Sequence, residues 1–375
     1  MSKSGKVPGL TPLAEKMRNL IQHTGPLKIS DYFSLCLADP DHGYYQSREP
    51  FGQAGDFITA PEISQLFGEM IGVFLVQAWH VQGAPEDTRI VEIGPGRGTL
   101  MSDALRVISR LAPALYEQAT IHMVETSERL RNVQRQTLVR VKQRISWHDA
   151  FEEIPAGFTL MVANELFDAI PIRQFIKTRQ GFSERMVGLD DTGALAFGLG
   201  PAGLDTSLLP IPEAAVREGE IFEISPARAA VMQAVAAKLV RDGGTALIID
   251  YGHLVTGFGD TLQAVHQHEF DPPLARPGEA DLTSHVDLQV LAEAAGAAGA
   301  HVHRPLTQGD FLLGLGILER AGALGAGRDS LTQATIGDAV NRLAGEGEGR
   351  MGALFKVLAV SGREVRIAPF DPQQA

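Results

Sequence analysis

The sequence predicts an α/β fold: a Rossmann-like, doubly wound parallel sheet with helices on both faces, an N-terminal helical layer and an inserted β-rich subdomain. Three observations predict it. After Arg89, short β-branched runs alternate with helical stripes, the pattern of strand–helix–strand units. In the first such unit, Ile90, Val91 and Ile93 run into three alternating glycines, Gly94, Gly96 and Gly98, and then into a helix. Between Ile170 and Ile224 the alternation stops. A Gly- and Pro-rich stretch there, with alternating segments at Arg173 to Ile176 and Arg185 to Leu189, reads as antiparallel strands.

In chain order, Thr11-Pro12 reads as a cap and first-turn proline, and Leu13, Met17, Leu20 and Ile21 form a helical stripe. Ser30 to Leu37 reads as a second, short helix. Asp39 to Thr59, which contains Gly55-Asp56-Phe57, reads as an ordered loop of cap and turn chemistry. Thr59-Ala60-Pro61-Glu62 fits a capping box ahead of Ile63, Phe67, Met70, Ile71, Phe74 and Leu75 at helical spacing. The core strands follow at Arg89 to Ile93, Ile121 to Glu125, Ile145 to His148, Leu160 to Asn164 and Ala246 to Asp250. Helices are expected from Thr99 to Arg110 and from Ser127 onward. Gly252 to Thr283 reads as a long polar loop, followed by a helix from His285, a strand near His301 and a closing strand at Ala353 to Leu358. The expected organisation is a helical region at 1–88, a core at 89–169 and 225–362, an inserted subdomain at 170–224 and a tail at 363–375.

Composition narrows the function classes. The chain has 375 residues, 44% hydrophobic and 21% charged, as expected of a soluble globular protein with ample core. A net charge of -12 leaves no basic surplus to neutralise phosphates, which argues against a general nucleic-acid binder. The single Cys36 excludes an intramolecular disulfide and a cysteine-rich metal site. No apolar stretch reaches membrane-spanning length, so no membrane insertion is expected. Met1 to Lys6 show neither a signal-peptide core nor an Arg-rich amphipathic helix, and the expected location is the cytoplasm.

The glycine turn departs from the dinucleotide fingerprint in a way that selects a ligand. Gly94-Pro95-Gly96-Arg97-Gly98 places its third glycine one residue early, with Thr99 in the expected slot. Glu92, two residues before the first glycine, would repel a pyrophosphate but tolerate a cationic or amine-bearing ligand. S-adenosyl-L-methionine, with its sulfonium and α-amino groups, is the cofactor that fits. Glu125 closes the second strand, where an acid accepts ribose hydroxyls, and Asp149-Ala150 closes the third, in position for the adenine amino group. The candidate cofactor-binding residues are therefore Glu92, Gly94, Pro95, Gly96, Gly98, Thr99, Glu125, Asp149, Ala150 and Asn164.

The fourth strand ends in Asn164-Glu165-Leu166-Phe167-Asp168-Ala169-Ile170-Pro171, which would face the donor sulfur. Glu165 and Asp168 would share a face if the segment makes a helical turn, and two carboxylates there could clamp a guanidinium. The competing reading is a pair of helix-start acids stabilised by the dipole. His266 with His268, and His301 with His303, would point the same way on strands. No third ligand stands at matching spacing, and these read as satisfied or solvated histidines rather than metal ligands.

Four motifs in this order resemble the MidA-type methyltransferases: Gly55 to Gln65, Val91 to Gly98, Asn164 to Pro171 and Ile249 to Gly252. The resemblance runs from Leu13 to Gly362. That family includes the mitochondrial complex I assembly factor that methylates an arginine of the 49-kDa-type subunit. The resemblance implies a class I S-adenosylmethionine-dependent fold and protein arginine methylation giving symmetric dimethylarginine. It also implies a protein substrate of the 49-kDa type and support of complex assembly. Glu165 sits where arginine methyltransferases place the first acid of their substrate-binding pair; Asp168 as the second follows from spacing alone. The alternatives are a small-molecule methyltransferase and a nonenzymatic assembly factor that holds the cofactor structurally.

Overall fold

The β-branched runs after Arg89 pair edge to edge. A computed structural model of the chain describes residues 11–47 and 59–371, so Gly55-Asp56-Phe57 and Met1 to Lys6 lie outside the described residues. Seven strands form the path of one large sheet, in the order His301–Val302, Phe355–Ser361, Gly244–His253, Phe158–Asn164, Thr88–Ile93, Thr120–Val124, Ile145–His148. The last five are parallel to one another, and Phe355–Ser361 runs antiparallel to Gly244–His253. Thr88–Ile93 and Phe158–Asn164 read as near-continuous apolar runs because both faces of the sheet are covered.

Two helices before and after the glycine turn pack closely. Thr99–Leu111 buries Leu100, Met101, Ala104, Leu105 and Ile108, and lies against Gln65–Val81. Gly68 and Gly72 stand one turn apart on the earlier helix, and a Cβ on Gly72 would come within 2.7 Å of the Ala104 carbonyl. The expected single helix from Thr59 is broken. Ala60–Ile63 is one short turn whose cap makes no side-chain hydrogen bond, and Ser64 caps the long helix instead, accepting from Leu66 N–H at 3.3 Å.

The chain divides into two units. The first comprises 11–47 with Asp168–Arg228 and Thr256–His285; the second comprises 59–167, Ala229–Val255 and 286–371, and holds the large sheet. This differs from the expected boundaries. Pro12–Thr24 and Ile29–Ala38 do not belong with the large sheet: Leu13, Met17, Tyr32 and Phe33 are buried with Ile172, Val187, Leu262 and Leu282 of the first unit. That unit contains the antiparallel strands expected at 170–224, namely Arg173–Thr178, Gly181–Leu189, Leu195–Leu199 and Ile221–Ile224. Leu27–Lys28 joins their edge by pairing with Met186 and Val187.

The expected polar loop after Tyr251 is likewise corrected. It contains a small sheet of Gln263–His266, Glu269–Asp271 and Asp281–Thr283. The first two strands are joined by Gln267 and His268, both with positive φ (52° and 66°), a hairpin turn that usually calls for Asn-Gly. His268 therefore sits in the turn, not on a strand beside His266. Among the described residues, no helix is long and apolar enough to cross a membrane.

Candidate active site

The site follows from sheet order. Thr88–Ile93 pairs on one side with Thr120–Val124 and on the other with Phe158–Asn164, so the chain reverses direction across the sheet at this strand. Ligands of open α/β sheets bind outside the strand carboxyl ends at such a switch point. Here that point carries the Gly94 turn on one strand and Asn164-Glu165 on its neighbour. Ile93 pairs with Ala163, which sets Asn164 level with Gly94.

Gly94, Gly96 and Gly98 all have positive φ (67°, 50° and 80°), a run of left-handed backbone that side chains resist. A Cβ on Gly94 would also meet Leu166 Cδ1 at 3.1 Å. Gly98 serves as the cap of Thr99–Leu111, whose first N–H groups make an anion- or carboxylate-binding terminus. Thr99 donates its hydroxyl to Glu62 Oε1 at 2.6 Å, the partner that Glu62 has in place of a capping box. Glu92 is buried beneath this turn. Burial pushes its carboxyl up to about 8, against the opposing hydrogen bond from Met101 N–H.

Beyond the second core strand, Glu125 is half-buried. Its Oε1 accepts from Ser127 N–H at 2.8 Å, and Oε2 accepts from Gln134 Nε2 at 3.3 Å. Burial raises its pKa, opposed by the donors of Ser127, Gln134 and Thr126. Gln134 is wholly buried and also donates to the Gly96 carbonyl at 2.8 Å, while its oxygen accepts from Trp147 Nε1 at 2.9 Å. Arg131 donates to the Glu125 carbonyl at 2.7 Å and to Asp149 Oδ1 at 2.6 Å. Asp149 is exposed, and its own N–H donates to Glu153 at 3.2 Å; Ala150 follows it at the end of the third strand.

Asn164 donates its side-chain N–H to Glu165 Oε1 at 3.0 Å, and Ala60 N–H donates to the same oxygen at 3.3 Å. Glu165 itself has φ 53°, a left-handed conformation uncommon for a residue with a Cβ. Asp250, fully buried within the neighbouring strand Gly244–His253, accepts from Phe167 N–H at 2.9 Å and fixes the turn that follows Glu165. The expected helical turn from Glu165 to Asp168 is not formed. The segment is a bend and turn, so the i,i+3 argument for a shared face does not hold. Asp168 is buried in the other unit, where its carbonyl accepts from Ser284 N–H at 3.2 Å and Arg228 Nη2 at 3.1 Å.

Sequence reasoning missed Gln134, Arg131 and Asp250 as supports of this site. Gln134 carried a signal: it lies four residues after Leu130, on the inward face of Glu128–Thr137, where an apolar residue is the norm.

A family model described as "Putative S-adenosyl-L-methionine-dependent methyltransferase" matches residues 70–306, more than half of the chain. The chain is also 35% identical over 356 residues to the mouse protein "Protein arginine methyltransferase NDUFAF7, mitochondrial", covering 88% of this chain and 80% of that one. The chain belongs to this family of S-adenosyl-L-methionine-dependent methyltransferases. The human relative of the same name is 34% identical over 343 residues, covering 84% of this chain and 76% of its own. Among solved structures, a Burkholderia thailandensis protein bound to S-adenosyl-homocysteine superposes with a TM-score of 0.85 at 29% identity, covering 98% of this chain and 99% of that one. The methyltransferase thus has the class I Rossmann-like fold that its strand pattern predicts. The expected cytoplasmic location is overturned, because the curated relatives are named as mitochondrial proteins.

The residues at the switch point suit the donor of such an enzyme. The glycine turn is open to close approach, Glu125 offers carboxylate oxygens, and the buried Oδ1 of Asn164 and Oε2 of Glu92 have no hydrogen-bond partner among the described residues. An ammonium and ribose hydroxyls supply the donors that such acceptors want.

Proposed function

We propose that this methyltransferase acts on a protein arginine, and that its substrate is a 49-kDa-type subunit of respiratory complex I whose assembly it supports. In this reading Gly94, Pro95, Gly96, Gly98 and Thr99 cradle the donor's amino-acid moiety, with Glu92 beneath them. Glu125 receives the ribose, and Asp149 with Ala150 borders the adenine. The names of the curated relatives support an arginine acceptor. The observation that carries the reading is Glu165: a carboxylate at the carboxyl end of the sheet, oriented by Asn164 and Ala60 and held on left-handed backbone.

The bound donor supplies an electrophilic methyl group on a sulfonium. The chain's task is to hold an acceptor nitrogen in line with it, since alignment alone lowers much of the barrier. A guanidinium is fully protonated near neutral pH and presents no lone pair to the methyl. Glu165 pairs with it, directs electron density to one nitrogen and stabilises the charge until a proton leaves. Asn164, by donating to Oε1, limits how the carboxylate can turn. Without the helical turn that would pair Asp168 with it, the reading rests on Glu165.

The test is transfer of labelled methyl to the 49-kDa-type subunit, or to its arginine-bearing N-terminal peptide, with mass analysis of the modified residue. Symmetric dimethylarginine is the expected product. Label on a small molecule and none on protein would refute the arginine reading.

A further inference from the structure

We propose that Gln134 is a positioning residue for the methyl donor, locking the glycine turn to the acid that receives the ribose. The inference rests on the placement of the donor at the Gly94 turn. The side-chain amide is wholly buried and makes three hydrogen bonds to three different elements: the Gly96 carbonyl at 2.8 Å, Glu125 Oε2 at 3.3 Å and Trp147 Nε1 at 2.9 Å. Both donations of the amide go to elements that would border the donor, and its oxygen is held by an indole that can only donate. The three bonds together fix the amide's orientation.

Its two acceptors differ in what they do. The Gly96 carbonyl belongs to the turn itself, whose three glycines all take left-handed backbone. The nearest atoms to a Cβ placed on Gly98 are Gln134 Cγ, Cα and Cβ, at 3.5–3.7 Å, so the turn rests on this residue as well as bonding to it. The second acceptor, Glu125, has both carboxylate oxygens held. Ser127 N–H holds one oxygen and Gln134 the other. A residue chosen only for packing at this inward position would be apolar, as Leu130 one turn earlier is. A buried amide that lacked its partners would be costly, and this one has all three.

The experiment measures S-adenosylhomocysteine binding by calorimetry in Gln134→Met, Glu125→Ala and the double variant of the full chain. Gln134→Met keeps the length and is expected to weaken binding about tenfold, the scale of one lost hydrogen bond to a charged acceptor. If Gln134 acts through Glu125, its effect shrinks in the Glu125→Ala background; a double-mutant cycle reads that coupling directly. The rate at saturating donor should hold while the donor KM rises, a split that general loosening of the fold would not give. Should Gln134→Met fold poorly, Gln134→Glu carries the test: it keeps an oxygen for Trp147 and removes both donations. A Trp79→Phe background leaves Trp147 as the one tryptophan, and its emission should respond to S-adenosylhomocysteine in that background but not in combination with Gln134→Met. Wild-type affinity in both Gln134 variants, or strictly additive losses, would overturn the proposal while Gly96→Val still abolished binding. Unimpaired binding in Gly96→Val would overturn the donor placement and this inference together.

Discussion

Phe167 donates its backbone N–H to the buried carboxylate of Asp250 at 2.9 Å, so the turn after Glu165 hangs from the next strand of the sheet. The other oxygen of Asp250 accepts from Tyr251 N–H at 3.0 Å. Removing the carboxylate leaves two buried N–H groups to be desolvated without it. Asp250→Ala is expected to cost about 3 kcal/mol, the scale of two hydrogen bonds to a charged acceptor. Urea unfolding measures this as a lower midpoint at unchanged m-value. Asp250→Asn, which retains one oxygen, should lose about half as much. In both variants methyl transfer should fall further than donor affinity, because the turn carries Glu165 rather than the glycine cradle.

Glu125 gives the second prediction. Its carboxylate is already oriented by Ser127 and Gln134, so little ordering is left to do when ribose hydroxyls arrive. Glu125→Ala should weaken binding of S-adenosyl-L-methionine by about 1.5–3 kcal/mol, the range for hydrogen bonds to a charged group. Calorimetry with the purified protein checks it, and an unchanged affinity would return Glu125 to the role of a helix-capping acid for Ser127.

The sheet was legible because parallel strands buried on both faces are written as apolar runs, and Thr88–Ile93, Thr120–Val124 and Phe158–Asn164 sit where Ile90, Ile121 and Leu160 announce them. The glycine turn was legible because left-handed backbone at three positions demands glycine. What escaped was long-range pairing. Nothing local in Leu13 or Met17 says that they pack beside Val187 and Leu262. The Gln267-His268 hairpin escaped because its turn takes positive φ without a glycine. Position alone puts Glu165 after the fourth core strand, but its left-handed backbone is incompatible with the helical turn on which the pairing with Asp168 depended.

Glu92 makes the stability of the ligand-free protein depend on pH in a direction opposite to that of a salt-bridged acid. Its folded-state pKa is raised from an ordinary value of 4.5 to about 8 by burial. Between those values the native state holds a proton that the unfolded chain has released. Stability is therefore lost as pH rises through this window, at up to about 1.4 kcal/mol per pH unit for this group. Asp103, pushed up to about 6 by burial, acts in the same direction over the lower part of the window. Glu92→Gln removes only the first contribution. Denaturant unfolding at pH 5 and pH 8 should show a smaller loss in the variant than in the wild type. Equal losses in the two proteins would mean that Glu92 is ionised in the native state throughout.

Catalysis is tested at Glu165, whose carboxylate is held by Asn164 and Ala60 but takes no part in the glycine turn. Glu165→Gln keeps the size and one acceptor oxygen, so Asn164 and Ala60 retain a partner and the left-handed turn has no new reason to rearrange. The lost feature is the negative charge. If that charge pairs with the acceptor guanidinium, methyl transfer should fall about 10²–10³-fold, the range for removing one preorganised electrostatic contact from a transition state. Donor affinity should change little, since the glycine turn and Glu125 follow other strands. The two quantities are measured on the same preparation, transfer by labelled methyl on the 49-kDa-type subunit and affinity by calorimetry. A parallel loss of both would place Glu165 in donor binding. Retained transfer would move the acceptor-gripping role to another acid. Complex assembly that survives Glu165→Gln in cells while transfer is lost would separate assembly from methylation, and would favour a structural use of the bound donor.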